Sequence, residues 1–178
     1  KSESNRLLIL QALFPEVEIR NLSESDDTVA LQKALTAKEG IVDIHHAGTA
    51  MRFLTAYFAS REGVEILLKG SRRMHERPVK LLVDALRSLG ADIEYEANEG
   101  FPPLRIRGKQ LKQHKVVLKA NVSSQYISAL MLIAPSLPNG LDISLEGQIT
   151  SAPYINMTLA LLKKAGIDGK FEKQRIII

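Results

Sequence analysis

The chain contains no cysteine, which removes disulfide cross-links and thiolate chemistry and leaves a reducing compartment open to it. No apolar run approaches the ~20 residues of a membrane-spanning helix, and the first residues lack the basic, apolar and small-residue order of a signal peptide. A cytoplasmic location, away from any membrane, is the expectation. Neither G-x-x-x-x-G-K-S/T nor G-x-G-x-x-G occurs, so nucleotide binding loses its usual phosphate loops. Metal donors are scarce as well: there are four His and no Cys. Two of the histidines, His45 and His46, are adjacent, so on a strand they face opposite sides and cannot chelate one ion together. No metal and no cofactor are expected. The initiator Met is missing too, and Lys1 already lies inside a helix start, so the chain reads as a trimmed part of a longer protein.

What is present is a repeated design. KSESNRLLILQALF from Lys1, AGTAMRFLTAYFAS from Ala47 and VSSQYISALMLIAP from Val122 each open on small or hydroxyl residues and continue as an almost wholly apolar helix. A helix that is hydrophobic nearly all round is buried. Its N-terminus carries free N–H groups and the positive end of the helix dipole, which together bind phosphate or carboxylate. Three such ends, with basic residues nearby, would make a polyanion site. The formal charge of +4 and the pI of about 9.3 favour an anionic partner without identifying nucleic acid.

The segments between repeat as well. Strand-like VEIRNL from Val17, VEILLKG from Val64 and LDISLEG from Leu141 follow the buried helices. Amphipathic helices come next, DDTVALQKAL from Asp26, RPVKLLVDALRSLG from Arg77 and APYINMTLALLKKAG from Ala152. Pro78 and Pro153 occupy first turns, and Gly90 and Gly166 stop the helices. DIEY with PLRIRG, and KFE with QRIII, read as hairpins, whereas the first repeat has only GIVDI in that place. KVVLKA precedes the third buried helix, IVDIHH the second, and nothing the first. The reading is an α/β fold of three repeated βαβαββ units, with buried parallel helices enclosed by sheets and the first unit incomplete. At 178 residues it suits one domain, or half of a larger enzyme.

Candidate chemistry gathers at the helix starts. In KSESNR the first turn places Lys1, Ser2 and Asn5 near the exposed end, with Arg6 one turn further round. Lys offers a point charge, Ser a hydroxyl, and Arg a planar fork for phosphate or carboxylate; N-capping and solvated cations are the plain alternative. Gly48 lets a ligand approach the backbone where a Cβ would obstruct it, or it is simply a turn glycine. Arg52 suits a structural ion pair as well as a ligand contact. GSRRMHERP crowds Arg72, Arg73, His75, Glu76 and Arg77 ahead of a helix; Glu76 can neutralise one arginine and leave another for a ligand. Ser123, Ser124 and Gln125 are three polar groups where capping explains one. Ser151 and Tyr154 flank the last helix, where capping and core packing compete with binding. Asp26 and Asp27 follow Ser25 and suffice as cap and dipole partners.

KSESNR, AGTAMR, RRMHERP, SSQY and SAPY, in this order, resemble the 5-enolpyruvylshikimate-3-phosphate synthase family, the 3-phosphoshikimate 1-carboxyvinyltransferases of aromatic amino-acid biosynthesis. The resemblance covers essentially the whole chain and implies the N-terminal one of two domains, over residues 1–178, with the active site in the cleft between them. By that resemblance Lys1, Ser2, Arg6, Ser123, Ser124, Gln125, Ser151 and Tyr154 would hold shikimate 3-phosphate. Lys1, Gly48, Arg73 and Gln125 would hold phosphoenolpyruvate, and Lys1 would also transfer a proton, a Lys among cations being the best candidate here for that role. The partners implied are these two small anions and a C-terminal domain, in a monomer without nucleic acid or membrane. Two departures stand out: the first unit lacks a hairpin many members carry, and Phe53 replaces a common Pro, which bears on sensitivity to the inhibitor glyphosate.

Two competitors are weaker. The related transferase acting on UDP-N-acetylglucosamine would place a catalytic Cys in this half, and there is none. An RNA- or phosphate-binding module built from the same repeats would expose aromatics beside basic residues for stacking. Phe and Tyr are few here, and Phe14, Phe53 and Phe58 sit in apolar runs.

Overall fold

The structure, a computed structural model, describes residues 1–178. The first repeat contributes α1 (Ser2–Leu13) and α2 (Asp26–Ala34). The second is complete: β1 (Glu39–Asp43), α3 (Gly48–Ala59), β2 (Glu65–Lys69), α4 (Lys80–Ser88), β3 (Asp92–Tyr95) and β4 (Leu104–Arg107). The third repeats it with β5 (Lys115–Lys119), α5 (Ser124–Ile133), β6 (Asp142–Glu146), α6 (Ala152–Lys164), β7 (Lys170–Glu172) and β8 (Arg175–Ile177). The two sheets have equivalent orders, β1-β2-β4-β3 and β5-β6-β8-β7. In each, the first pair is parallel, with Ile41 opposite Leu67 and Val117 opposite Ser144, and the hairpin runs antiparallel to it.

Period-two patterning sets which sheet face is inward. Ile66, Leu68, Ile93, Leu104 and Ile106 bury one face of the first sheet, and Val116, Leu118, Ile143, Leu145 and Ile176 one face of the second. Inside them lie the apolar helices. In α3 every residue except Thr49 is buried, and in α5 every residue from Tyr126 to Ile133 is buried. α1, α3 and α5 pack on one another within one continuous core. This arrangement points their N-termini towards a common end of the molecule.

The structure corrects the sequence reading in three places. VEIRNL from Val17 forms no strand, because residues 17–22 pair with none of the eight strands, and only four residues, Leu35 to Lys38, link α2 to β1. Asn21, at φ 57°, also turns the backbone out of the extended region. GIVDI is not the end of the first unit; its residues Gly40–Asp43 belong to β1, the opening strand of the second, which is the place expected for IVDIHH. Pro78 stands outside α4, whose N-cap is Val79. The Pro78 carbonyl accepts instead from Tyr126 Oη at 2.6 Å and Arg52 Nη2 at 3.3 Å. Pro153 does lie in the first turn of α6, and Gly90 and Gly166 end their helices with positive φ.

Candidate functional site

The starts of all three buried helices meet at a pocket of about 100 Å³. Its walls are Lys1, Ser2, Asn5 and Arg6 from α1 and the residue before it, Thr49 from α3, Ser124 and Gln125 from α5, and Tyr154 from α6. Gln125 Nε2 donates to Thr49 Oγ1 at 2.8 Å and ties the mouths of α3 and α5 together. Of the residues expected at such a site, Lys1, Ser2, Arg6, Ser124, Gln125 and Tyr154 line this pocket. Ser123 sits just behind as the N-cap of α5, its hydroxyl accepting from Gln125 N at 3.2 Å. Ser151 is buried at the N-cap position of α6, and its carbonyl accepts from Tyr154 N and Ile155 N.

Arg6 is 3% exposed and has no carboxylate partner. Its guanidinium donates from Nε to Thr158 Oγ1 at 2.9 Å, from Nη2 to Ser128 Oγ at 2.7 Å and from Nη1 to the Ser2 carbonyl at 3.0 Å. The rings of Phe53 and Tyr154 flank it at 5.5 and 5.7 Å. Burial pushes its pKa below the ordinary arginine value, with Tyr154 opposing the shift. A desolvated cation held only by hydroxyls, a carbonyl and aromatic faces keeps its charge available to an anion. Lys1 is placed differently from the expectation of a Lys among cations. Its Nζ lies 2.7 Å from Asp27 Oδ2 in the first turn of α2, and the lysine side chain is half exposed. Asp27 therefore orients Lys1 at the pocket mouth, whereas Ser25 caps α2 by accepting from Thr28 N at 3.4 Å.

A second pocket, of about 450 Å³, is lined by His46, Ser71, Arg73, Met74 and Arg77. It contains no carboxylate, and Glu76 makes no ion pair with the neighbouring arginines. The two pockets adjoin through the start of α3. Thr49 faces the first, while the guanidinium of Arg77, which lines the second, rests directly on Gly48. The space that glycine leaves is thus filled by an arginine head group. Arg52, one turn into α3, is structural: it donates to the carbonyls of Gly48 at 3.1 Å and Pro78 at 3.3 Å. Burial, and then the nearby charge of Arg77, push its pKa down. Like charges crowded around a helix N-terminus form a receptor for a multiply charged anion.

Three residues at these pockets were not assigned to a ligand from the sequence. Arg77 could not be told from Arg72 and Arg73 in one basic run, because only the fold brings Gly48 beneath it. Asn5 carried a usable signal, lying four residues after Lys1 and three after Ser2, hence on their helix face. Thr49 is a helix-start hydroxyl that only the approach of α5 turns into a wall. Two larger grooves, of about 780 and 830 Å³, lie elsewhere, between α4 and β5 and between α2 and β1. They occupy equivalent positions where one repeat's amphipathic helix meets the next repeat's first strand. Their linings mix acidic and basic groups, and no three helix starts converge on them.

Comparison with known proteins agrees with this architecture. The family model for EPSP synthase (3-phosphoshikimate 1-carboxyvinyltransferase) matches residues 29–178. The chain is 52% identical over 179 residues to a 3-phosphoshikimate 1-carboxyvinyltransferase of Bacteroides fragilis (strain YCH46), covering 100% of this chain and 43% of the relative. It is 39% identical over 194 residues to one of Marinomonas sp. (strain MWYL1), covering 94% of this chain and 45% of the relative. The chain therefore spans less than half the length of these curated relatives. Among solved structures, an EPSP synthase from Acinetobacter baumannii superposes with a TM-score of 0.80 at 21% identity, over 100% of this chain and 45% of that one, a likeness of fold.

Proposed function

The chain belongs to the EPSP synthase family, and from that premise we propose that it is the N-terminal, substrate-binding domain of a two-domain 3-phosphoshikimate 1-carboxyvinyltransferase. In the complete protein this domain and a C-terminal partner close over shikimate 3-phosphate and phosphoenolpyruvate. The observation that carries the reading is the convergence of three helix starts, a buried Arg6 without a carboxylate and the adjoining Arg73–Arg77 pocket.

The reaction transfers the enolpyruvyl group. C3 of phosphoenolpyruvate gains a proton, and the 5-hydroxyl of shikimate 3-phosphate adds to C2 and loses its own proton; C3 then gives up a proton as the C2–O bond to phosphate breaks, which releases phosphate and restores the double bond. Both substrates carry phosphate and carboxylate, so bringing them together needs concentrated positive charge. Arg6, Ser2, Ser124, Gln125 and Tyr154 present the first pocket to shikimate 3-phosphate, with Ser123 and Ser151 fixing the two helix ends behind it. Arg73 and Arg77, with Gly48 between the pockets, receive phosphoenolpyruvate. Lys1 stands at the mouth, where Asp27 aims its ammonium, and serves both substrates in proton transfer. The remaining acid and base groups belong to the other domain. The enzyme is cytoplasmic and monomeric in this reading, and it is a target of glyphosate.

The test is to assay the purified 178-residue chain alone, then mixed with a separately expressed C-terminal domain. Its continuous core supports independent folding. Weak binding of shikimate 3-phosphate without turnover is expected from the chain alone, and transfer activity only with the second domain. Substantial enolpyruvyl transfer by the chain alone would overturn the half-enzyme reading; binding of single-stranded RNA in place of shikimate 3-phosphate would overturn the transferase reading altogether.

A further inference from the structure

Asn5 is fully buried, yet one of its amide atoms has no partner. Its Oδ1 accepts from Thr28 Oγ1 at 2.8 Å, and Thr28 Oγ1 is itself 2.9 Å from Ser25 Oγ. The Ser25–Thr28–Asn5 chain thus locks the amide by one end. The other end, Nδ2, is buried and unpaired, and Asn5 forms part of the wall of the pocket between Lys1, Arg6 and Gln125. A buried donor left without an acceptor is costly. An apolar side chain would avoid that cost. Retaining an amide in this place, anchored so that its free donor is fixed, is the arrangement of a group that meets an acceptor on a bound molecule.

We propose that Asn5 is a further substrate-binding residue, its Nδ2 donating to an oxygen of shikimate 3-phosphate in the pocket built by α1, α3, α5 and α6. The proposal rests on the reading of this pocket given above. It assigns to Asn5 the role of a neutral, rigid donor beside the ammonium of Lys1 and the fork of Arg6. A neutral donor adds direction where the cations add charge, so it fixes the orientation of the ring substrate and not merely its affinity.

The experiment uses the full-length transferase with Asn5→Leu and Asn5→Asp. The first removes the donor and the Thr28 bond; the second keeps an acceptor for Thr28 and replaces the donor by a carboxylate oxygen that repels the anion, so it covers the case in which the leucine variant fails to fold. Shikimate 3-phosphate is titrated calorimetrically without phosphoenolpyruvate, and KM is measured for both substrates. The expected result is a rise of roughly five- to twentyfold in the Kd and KM for shikimate 3-phosphate in Asn5→Leu. A larger rise is expected in Asn5→Asp, with KM for phosphoenolpyruvate changed by less than about twofold. A purely structural role would move both substrates together and lower Tm in step. Unchanged shikimate 3-phosphate affinity in a folded variant means that the amide holds only ordered water, and overturns the proposal alone. Wild-type protein that neither binds shikimate 3-phosphate nor transfers the enolpyruvyl group overturns the functional reading, and this assignment with it.

Discussion

Gly48→Ala separates the two jobs a glycine can do at the mouth of α3. Gly48 is absent from the positive-φ residues, so alanine adopts its backbone without strain. The obstacle is Arg77. An added Cβ would overlap Nη1 and lie 3.0 Å from Cζ and 3.1 Å from Nη2. Restoring an ordinary separation of about 3.5 Å requires the guanidinium to retreat by roughly 1 Å. The head of a flexible side chain moves at little cost, and alanine for glycine in a compatible helical position stabilises by about 0.4–1 kcal/mol. Stability therefore changes by no more than about 1 kcal/mol. Binding is another matter: losing one charge-assisted hydrogen bond costs about 1.5–3 kcal/mol, or about ten- to 150-fold in affinity. Calorimetric Tm and the KM for phosphoenolpyruvate, both on the full-length protein, read the two effects. Glyphosate inhibition is expected to weaken more than phosphoenolpyruvate binding, the inhibitor being bulkier. An unchanged KM, or a Tm lowered by more than about 5 °C, would refute the placement of Arg77 and Gly48 in the phosphoenolpyruvate pocket.

Further outcomes follow from the same geometry. Arg73→Ala is expected to lower kcat/KM by roughly tenfold to a few hundredfold, and Arg77→Ala by more, since Arg77 lies on Gly48; near-normal kinetics in either removes that arginine from the site. Arg6→Met relieves a desolvated charge, so Tm holds or rises while shikimate 3-phosphate binding falls by about a hundredfold or more; a large loss of Tm with affinity intact would assign Arg6 to the core instead. Arg175, chiefly by a hydrogen bond, holds the Asp142 carboxyl below the usual carboxylate range. The folded pKa being the lower one, this stabilisation is complete above the unfolded value of about 3.9 and disappears as pH falls through the folded value. Arg175→Gln accordingly lowers Tm slightly at neutral pH and not at the acid extreme, and a Tm difference that persists there would refute the linkage.

Repetition made most of the fold legible. The second and third units could be aligned by eye because each carries the same succession of all-apolar helix, alternating strand and amphipathic helix. VEIRNL shows where pattern stops being sufficient. Its alternation matches that of VEILLKG, and yet a strand exists only where a neighbour completes its hydrogen bonds, which is a property of the surroundings and not of the six residues. Pro78 shows the same dependence, because its carbonyl is taken by Tyr126 and Arg52 from other helices. At the site, the helix-start groups could be read locally, since Lys1, Ser2, Ser124 and Gln125 belong to the motifs that announce a cap. The choice among Arg72, Arg73 and Arg77 could not. It is decided by which guanidinium reaches a glycine 29 positions earlier, as Arg77 does Gly48.

Arg6 reaches from α1 to Ser128 on α5 and Thr158 on α6, so a single side chain pins three helices drawn from two repeats. With the site vacant, that pin carries an uncompensated charge in a dry interior, and the assembly bears the penalty. An arriving phosphate or carboxylate removes it, which couples occupancy to cohesion of the helices themselves. By linkage, anything that tightens the three-helix arrangement also raises affinity for the anion. A bound anion would then act on this domain as a stoichiometric folding aid, an effect separate from any chemistry the anion undergoes.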